Sequence, residues 1–141
     1  MQVIRFAKGG GSLVSFDGFA WDGDGPIYHQ IIRFLKRGMA AGTVRDGDEM
    51  PSRRVLSARL GVNPNTIQKA YRLLEEEGLI QSRAGAKSYV ALEPERIGII
   101  RRQLLEADAG RLVSAMRQTG VGREEALELI GRLWDEEGGA L

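Results

Sequence analysis

Between Ser52 and Arg72 the chain concentrates side chains suited to holding a ligand rather than reacting with one. They are Ser52, Arg53, Arg54, Arg59, Asn63, Asn65, Thr66, Gln68, Lys69 and Arg72. Asn and Gln amides can pair bidentately with the edge of adenine, and a Thr methyl can meet the methyl of thymine. Arginine and lysine neutralise backbone phosphates, which fixes register and adds salt-dependent affinity without reading sequence. A second basic group, Arg83 and Lys87, flanks Gly85, where a missing side chain would let the backbone approach a sugar-phosphate rail. Competing chemistry has little support. Glu75, Glu76 and Glu77 precede Gly78 as the solvated end of a helix does, and no nucleophile with a neighbouring base accompanies them. His29 is the only histidine and cysteine is absent, so neither a metal site nor a disulfide framework is expected. No catalytic residue and no cofactor is implied.

These side chains need elements to present them. After Gly25, Pro26 suits a first helical turn, and Ile27, Ile31, Phe34, Leu35 and Met39 recur at helical spacing up to Gly42. Ser52 is a good N-cap for a short helix expected to carry Val55, Leu56, Ala58 and Leu60 inward until Gly61. Asn63 then caps a third helix with Pro64 at its first position and a buried stripe of Ile67, Ala70, Tyr71, Leu73 and Leu74 ending at Gly78. Two short helices joined through Gly61-Val62 predict a helix-turn-helix, whose second helix fits a major groove. Leu79 to Arg83 and Lys87 to Ala91 read as two strands of a hairpin with a basic tip, a wing. Glu93-Pro94 opens a long helix reaching Gly120, and a last helix runs from Arg123 to about Glu137. Ile97, Ile100, Leu104, Leu105, Leu112, Val113 and Met116, then Ala126, Leu127, Ile130, Leu133 and Trp134, supply their apolar positions. The expected fold is mainly α with a small β-hairpin wing: a winged helix-turn-helix over 26–92 and a two-helix C-terminal dimerisation tail over 93–141. Residues 1–25 form an irregular arm, read as a flexible leader, with short strands conceivable at Val3 to Phe6 and Ser12 to Phe16. Trp21 and Trp134 are read as packing residues.

The whole chain of 141 residues has a net charge of only +1, but the charge is unevenly placed. Residues 26–92 carry 11 Lys/Arg against 6 Asp/Glu, and residues 93–141 carry 7 against 10. A basic middle beside an acidic tail suits a middle that meets a polyanion. No apolar run approaches the ~18 residues of a membrane span and no signal peptide opens the chain, so a cytoplasmic location without membrane contact is expected.

The run from Met50 to Tyr71, MPSRRVLSARLGVNPNTIQKAY, followed by LEEEGLI from Leu74 to Ile80, resembles the GntR-type regulators, as does the opening PIYHQI at Pro26. The resemblance spans Pro26 to Val90. It implies a transcription regulator in which Arg54, the helix-three residues Asn65, Thr66 and Gln68, and the wing Gly85 contact DNA. Two positions depart from the pattern. Arg53 stands where the family usually has Glu, and Pro64 where many members have a base-reading Arg, which removes a guanine contact. The 49 residues from Glu93 to Leu141 are too few for the family's large ligand-binding domains and resemble the two-helix tail of its YtrA-like branch. Gly122 takes the place of the usual Ser/Thr cap between those helices.

By that resemblance the tail would pair two subunits into a homodimer that represses an operon, such as a transporter operon, at an inverted-repeat operator in double-stranded DNA. A lone two-helix appendage with an uncovered apolar stripe gives a physical reason for the dimer. A small-molecule effector of unknown chemistry would sit between subunits. The competing reading is a winged-helix module that binds a protein partner and does not read DNA; the charge asymmetry favours the first.

Overall fold

The computed structural model describes residues 11–23, 25–83, 85 and 87–138. In chain order its elements are α1 (Ile27–Ala41), α2 (Arg53–Leu60), α3 (Pro64–Glu76), β1 (Ile80–Ser82), β2 (Ser88–Val90), α4 (Pro94–Gln118) and α5 (Arg123–Gly138). It is a mainly helical winged helix-turn-helix architecture with a two-stranded antiparallel hairpin, as the sequence implies.

Each helix starts and stops where local chemistry dictates. Pro26 is the N-cap of α1 rather than part of its first turn, with extended φ and ψ of −61° and 142°. The Ser52 hydroxyl accepts the Val55 amide at 3.1 Å and starts α2. Between α2 and α3 the chain must reverse sharply, and Gly61 does so at φ 68°, a region costly for residues with a Cβ. The turn is fastened by buried Ser57: its carbonyl accepts the Gly61 and Val62 amides, and its hydroxyl donates to the Val62 carbonyl at 2.7 Å.

Helix α3 is central, packing on α1, α2 and β1. The core joins Ile31, Leu35 and Met39 of α1, Leu56 of α2, and Ile67, Ala70, Tyr71 and Leu74 of α3 to Leu79, Ile80 and Val90 of the hairpin. In α2 the expected inward set shrinks to Leu56 with Ser57. Val55 and Ala58 are exposed and Leu60 half-buried, because a helix of eight residues touches the core along barely two turns. Leu73 is half-buried as well.

The strands are shorter than the expected five residues, pairing Ile80 with Val90, Gln81 with Tyr89 and Ser82 with Ser88. A third row joins them through an antiparallel bridge between Glu49 and Tyr89, and Leu13 adds a parallel bridge to Glu49. Ala84 and Ala86 of the hairpin tip lie outside the described residues, as does Val3 to Phe6.

From residue 11 onward the expected flexible leader is instead part of the core. Val14 and Phe16 are each 5% exposed. Phe16 stacks on Phe34 at 5.3 Å between ring centroids, and Phe19 meets Phe34 edge-on at 5.5 Å. Polar ties complete the docking. Buried Asp48 accepts the Ser12 amide, and Gln30 accepts the Asp22 amide while donating to the Gly25 carbonyl. Ser12 to Phe16 is therefore irregular chain with one bridge at Leu13, not a strand.

The chain divides into two compact units between residues 102 and 103. The first includes the opening turns of α4, where Ile100 is buried and Ile97 half-buried, so it extends past the expected boundary at 93. In the second unit Leu105, Leu112, Val113, Leu127 and Leu133 are exposed, and Trp134, expected to pack, is 76% exposed. Trp21 is also largely exposed.

The docked arm makes a quantitative prediction. Phe16→Ala should lower unfolding free energy by about 3 kcal/mol in a urea titration, whereas a loose leader would leave the midpoint unchanged.

Candidate nucleic-acid interface

The two faces of α3 divide its work. Ile67, Ala70, Tyr71 and Leu74 are buried, while Asn65, Gln68 and Lys69 are exposed and Thr66 is half-buried. The helix N-terminus, with Pro64 at its first position, carries the exposed amides outward. Asn63 is committed to structure: its side-chain oxygen caps the helix by accepting the Asn65 amide at 2.7 Å, leaving only its NH₂ for a ligand. Ser52 is similarly occupied by the cap of α2.

The basic residues are not equivalent. Arg54 is exposed in the first turn of α2 and has no ion pair among the described residues. Arg53, half-buried, lays its guanidinium 5.0 Å from the centroid of Tyr71, and its Nε is buried with no hydrogen-bond partner. Arg59 is held 2.7 Å from Asp17 of the arm, and Arg72 pairs with Glu76 one turn along at 3.2 Å. Both contacts are exposed and therefore weak, so they can yield to a phosphate. Lys69 turns toward α1, with Nζ 4.2 Å from the Tyr28 ring centroid. In the hairpin, Arg83 lies 5.4 Å over Tyr89 and Lys87 lies 3.5 Å from Glu49. Gly85 has φ 78°, with nothing near the position a Cβ would take.

The helix-turn-helix thus brings Asn65, Thr66, Gln68 and Arg54 to the starts of consecutive helices, and places Arg83, Gly85 and Lys87 on the hairpin that follows. Arg59, Arg72 and Lys69 are drawn toward intramolecular partners that sequence reasoning missed: Asp17, Glu76 and Tyr28. The Arg72-Glu76 pair was legible from its four-residue spacing. The other two partners depend on tertiary packing.

Tyr71 ties this surface to the core. Its hydroxyl donates to the Pro51 carbonyl just ahead of α2. Burial pushes the phenol well above its ordinary pKa, and the Arg53 guanidinium pulls it back by a smaller amount. Among the described residues no group of three His, Asp or Glu could hold a metal, and no helix is long and apolar enough to cross a membrane.

A winged helix-turn-helix presenting amides on its second helix and cations around it defines a DNA-binding transcription regulator, not an enzyme. The family described as "Bacterial regulatory proteins, gntR family" matches residues 27–90. The HTH-type transcriptional repressor YtrA of Bacillus subtilis is 42% identical over 66 residues, 47% of this chain and 51% of that protein, so the match spans about half of its length. YhcF, an uncharacterised HTH-type transcriptional regulator of the same organism, is 31% identical over 105 residues, 74% of this chain and 87% of YhcF. A GntR family transcriptional regulator from Listeria monocytogenes superposes with a TM-score of 0.68 at 30% identity, covering 79% of this chain and 98% of that one. The chain belongs to the GntR family.

The buried phenol makes its own prediction. Unfolded tyrosine ionises near pH 10, while Tyr71 in the fold keeps its proton, so stability is complete below about pH 10 and falls as pH rises beyond it. Tyr71→Phe should cost about 1 kcal/mol at neutral pH through the unpaired Pro51 carbonyl. It should also flatten the alkaline decline in urea unfolding measured from about pH 9 to 11.

Proposed function

We propose that this chain is a dimeric repressor of the YtrA-like branch, acting in the cytoplasm on an inverted-repeat operator of an operon such as one encoding a transporter. The observation that carries the reading is the division of α3: its apolar residues are sunk in the core while Asn65 and Gln68 stand exposed beside a basic hairpin. Asn65, Thr66 and Gln68 read bases in the major groove. Arg54 and, after release from their weak partners, Arg72 and Lys87 hold phosphates; Gly85 lets the hairpin backbone approach the DNA. Because Pro64 cannot reach a guanine, discrimination falls on amide contacts to A·T pairs.

Dimerisation is supported by the exposed apolar residues of the second unit, Leu105, Leu112, Val113, Leu127, Leu133 and Trp134. Isolated helices rarely leave so many large apolar side chains in water without a partner, and two-fold pairing of like surfaces is the commonest way to cover them. A second copy also matches the two half-sites of an inverted repeat. An effector would act between the subunits.

In gel shifts on the promoter region of its own gene, the protein should bind with steep salt dependence. Arg54→Ala should weaken all sequences alike and reduce the salt slope by about 1. Asn65→Ala or Gln68→Ala should relax preference at one or two base pairs, each worth about 1–3 kcal/mol. A flat response at low salt would instead favour the protein-binding module. Separately, light scattering at tens of micromolar should give twice the mass of one chain, and Leu127→Glu should halve it. A wild-type mass equal to one chain would remove the dimer from the proposal.

A further inference from the structure

A cavity of about 140 Å³ lies between the start of α2 and the root of β2, lined in part by Glu49, Ser52, Arg53, Tyr71, Lys87 and Ser88. It has room for roughly four water volumes of ~30 Å³ each, about the size of a small tetrahedral oxyanion with a water beside it. Its lining contains both buried side-chain polar atoms that lack a partner among the described residues: Arg53 Nε and Ser88 Oγ. Ser88 is only 3% exposed. Its backbone is fixed, since its carbonyl accepts the Met50 amide at 2.9 Å, so the hydroxyl is the one group left to satisfy. A buried donor without an acceptor is costly. Here two such donors come from different elements and line the same small space.

The charges select the class of acceptor. Arg53 and Lys87 contribute two cations and Glu49 one carboxylate, 3.5 Å from Lys87. The first amides of α2 have no acceptor within the helix, although Ser52 satisfies the one at Val55. A net positive, donor-rich lining at a helix start favours an oxyanion. These donors lie at the start of α2 and on β2, off the amide-bearing face of α3, which suits the backbone rail rather than base edges.

We propose that this cavity seats one phosphate group of bound DNA. Arg53 and the Ser88 hydroxyl donate to its unesterified oxygens, and Lys87 exchanges Glu49 for the phosphate. The proposal rests on the DNA-binding reading and deepens it. It gives Arg53, which replaces the usual Glu, a seat that an acidic residue would repel, and it assigns roles to Ser88 and Glu49.

The test uses the full chain and fluorescence anisotropy on a promoter-region duplex between 50 and 200 mM salt, with thermal unfolding of every variant. Arg53→Gln should bind about tenfold more weakly, with a salt slope shallower by about 1. Ser88→Ala should bind several-fold more weakly at unchanged slope while its unfolding temperature stays the same or rises, because an unpaired hydroxyl has been removed. Glu49→Gln should bind more tightly. Normal binding by Arg53→Gln and Ser88→Ala, with Arg54→Ala still impaired, would overturn the seat and leave DNA binding intact. So would a Ser88→Ala loss that merely tracks a lower unfolding temperature. Failure of the wild type to bind any duplex would overturn both. Inorganic phosphate is titrated in parallel against the amide resonances of Arg53 and Ser88. Shifts abolished by Ser88→Ala while that variant binds duplex normally would assign the seat to free phosphate and overturn the DNA source.

Discussion

The hydrogen bond from Tyr71 to the Pro51 carbonyl is the constraint on which the DNA-facing surface depends. Tyr71 sits on the buried stripe of α3, and its ring is almost wholly out of water. Its hydroxyl therefore needs a partner inside the protein, and the acceptor it finds is the carbonyl immediately before the cap of α2. That single contact sets the start of one helix against the middle of the other. The Arg53 guanidinium lies over the same ring, so the fixed phenol also positions a cation. With Ser57 holding the other end of the turn, the angle between the two helices is set at both ends by polar groups and filled between them by Leu56, Ile67 and Ala70.

Much of this was legible because its causes are local. Ser52, Asn63 and Pro64 are helix-start residues by their own chemistry, and Gly61 is a stop by its backbone freedom; no knowledge of distant residues was required. The stripe on α3 was legible because thirteen residues give a periodic pattern time to repeat. On α2 the same reasoning misassigned Val55 and Ala58, since over eight residues a helical period cannot be told from a short apolar run. The partners of the site residues were harder to read. Asp17 and Arg59 are 42 positions apart and Tyr28 and Lys69 are 41, and no local rule joins residues at that separation. For the same reason the arm looked loose: Phe16 and Phe19 are ordinary residues until Phe34 is brought beside them.

The two compact units differ in kind. In the first, apolar side chains from seven segments close over one another, and the polar groups beneath them are largely paired. In the second, α5 and the later turns of α4 present leucines, a valine and a tryptophan to water, with no buried residue in α5. Their amphipathic pattern was readable in the sequence, but a pattern indicates only that a face must be covered.

The bridge between Leu13 and Glu49 has a consequence for the hairpin sheet. The row containing Glu49 would otherwise be an outer edge, with free amides and carbonyls able to template the strand of another molecule. Instead the Val14 amide donates to the Glu49 carbonyl and the Glu49 amide donates to the Ser12 carbonyl. The arm thus acts as a selvedge, spending one residue's worth of pairing to finish the cloth. Trimming the chain up to Phe16 would unpick that hem and leave a raw β-edge beside an uncovered Phe34, a combination that invites sheet-to-sheet association.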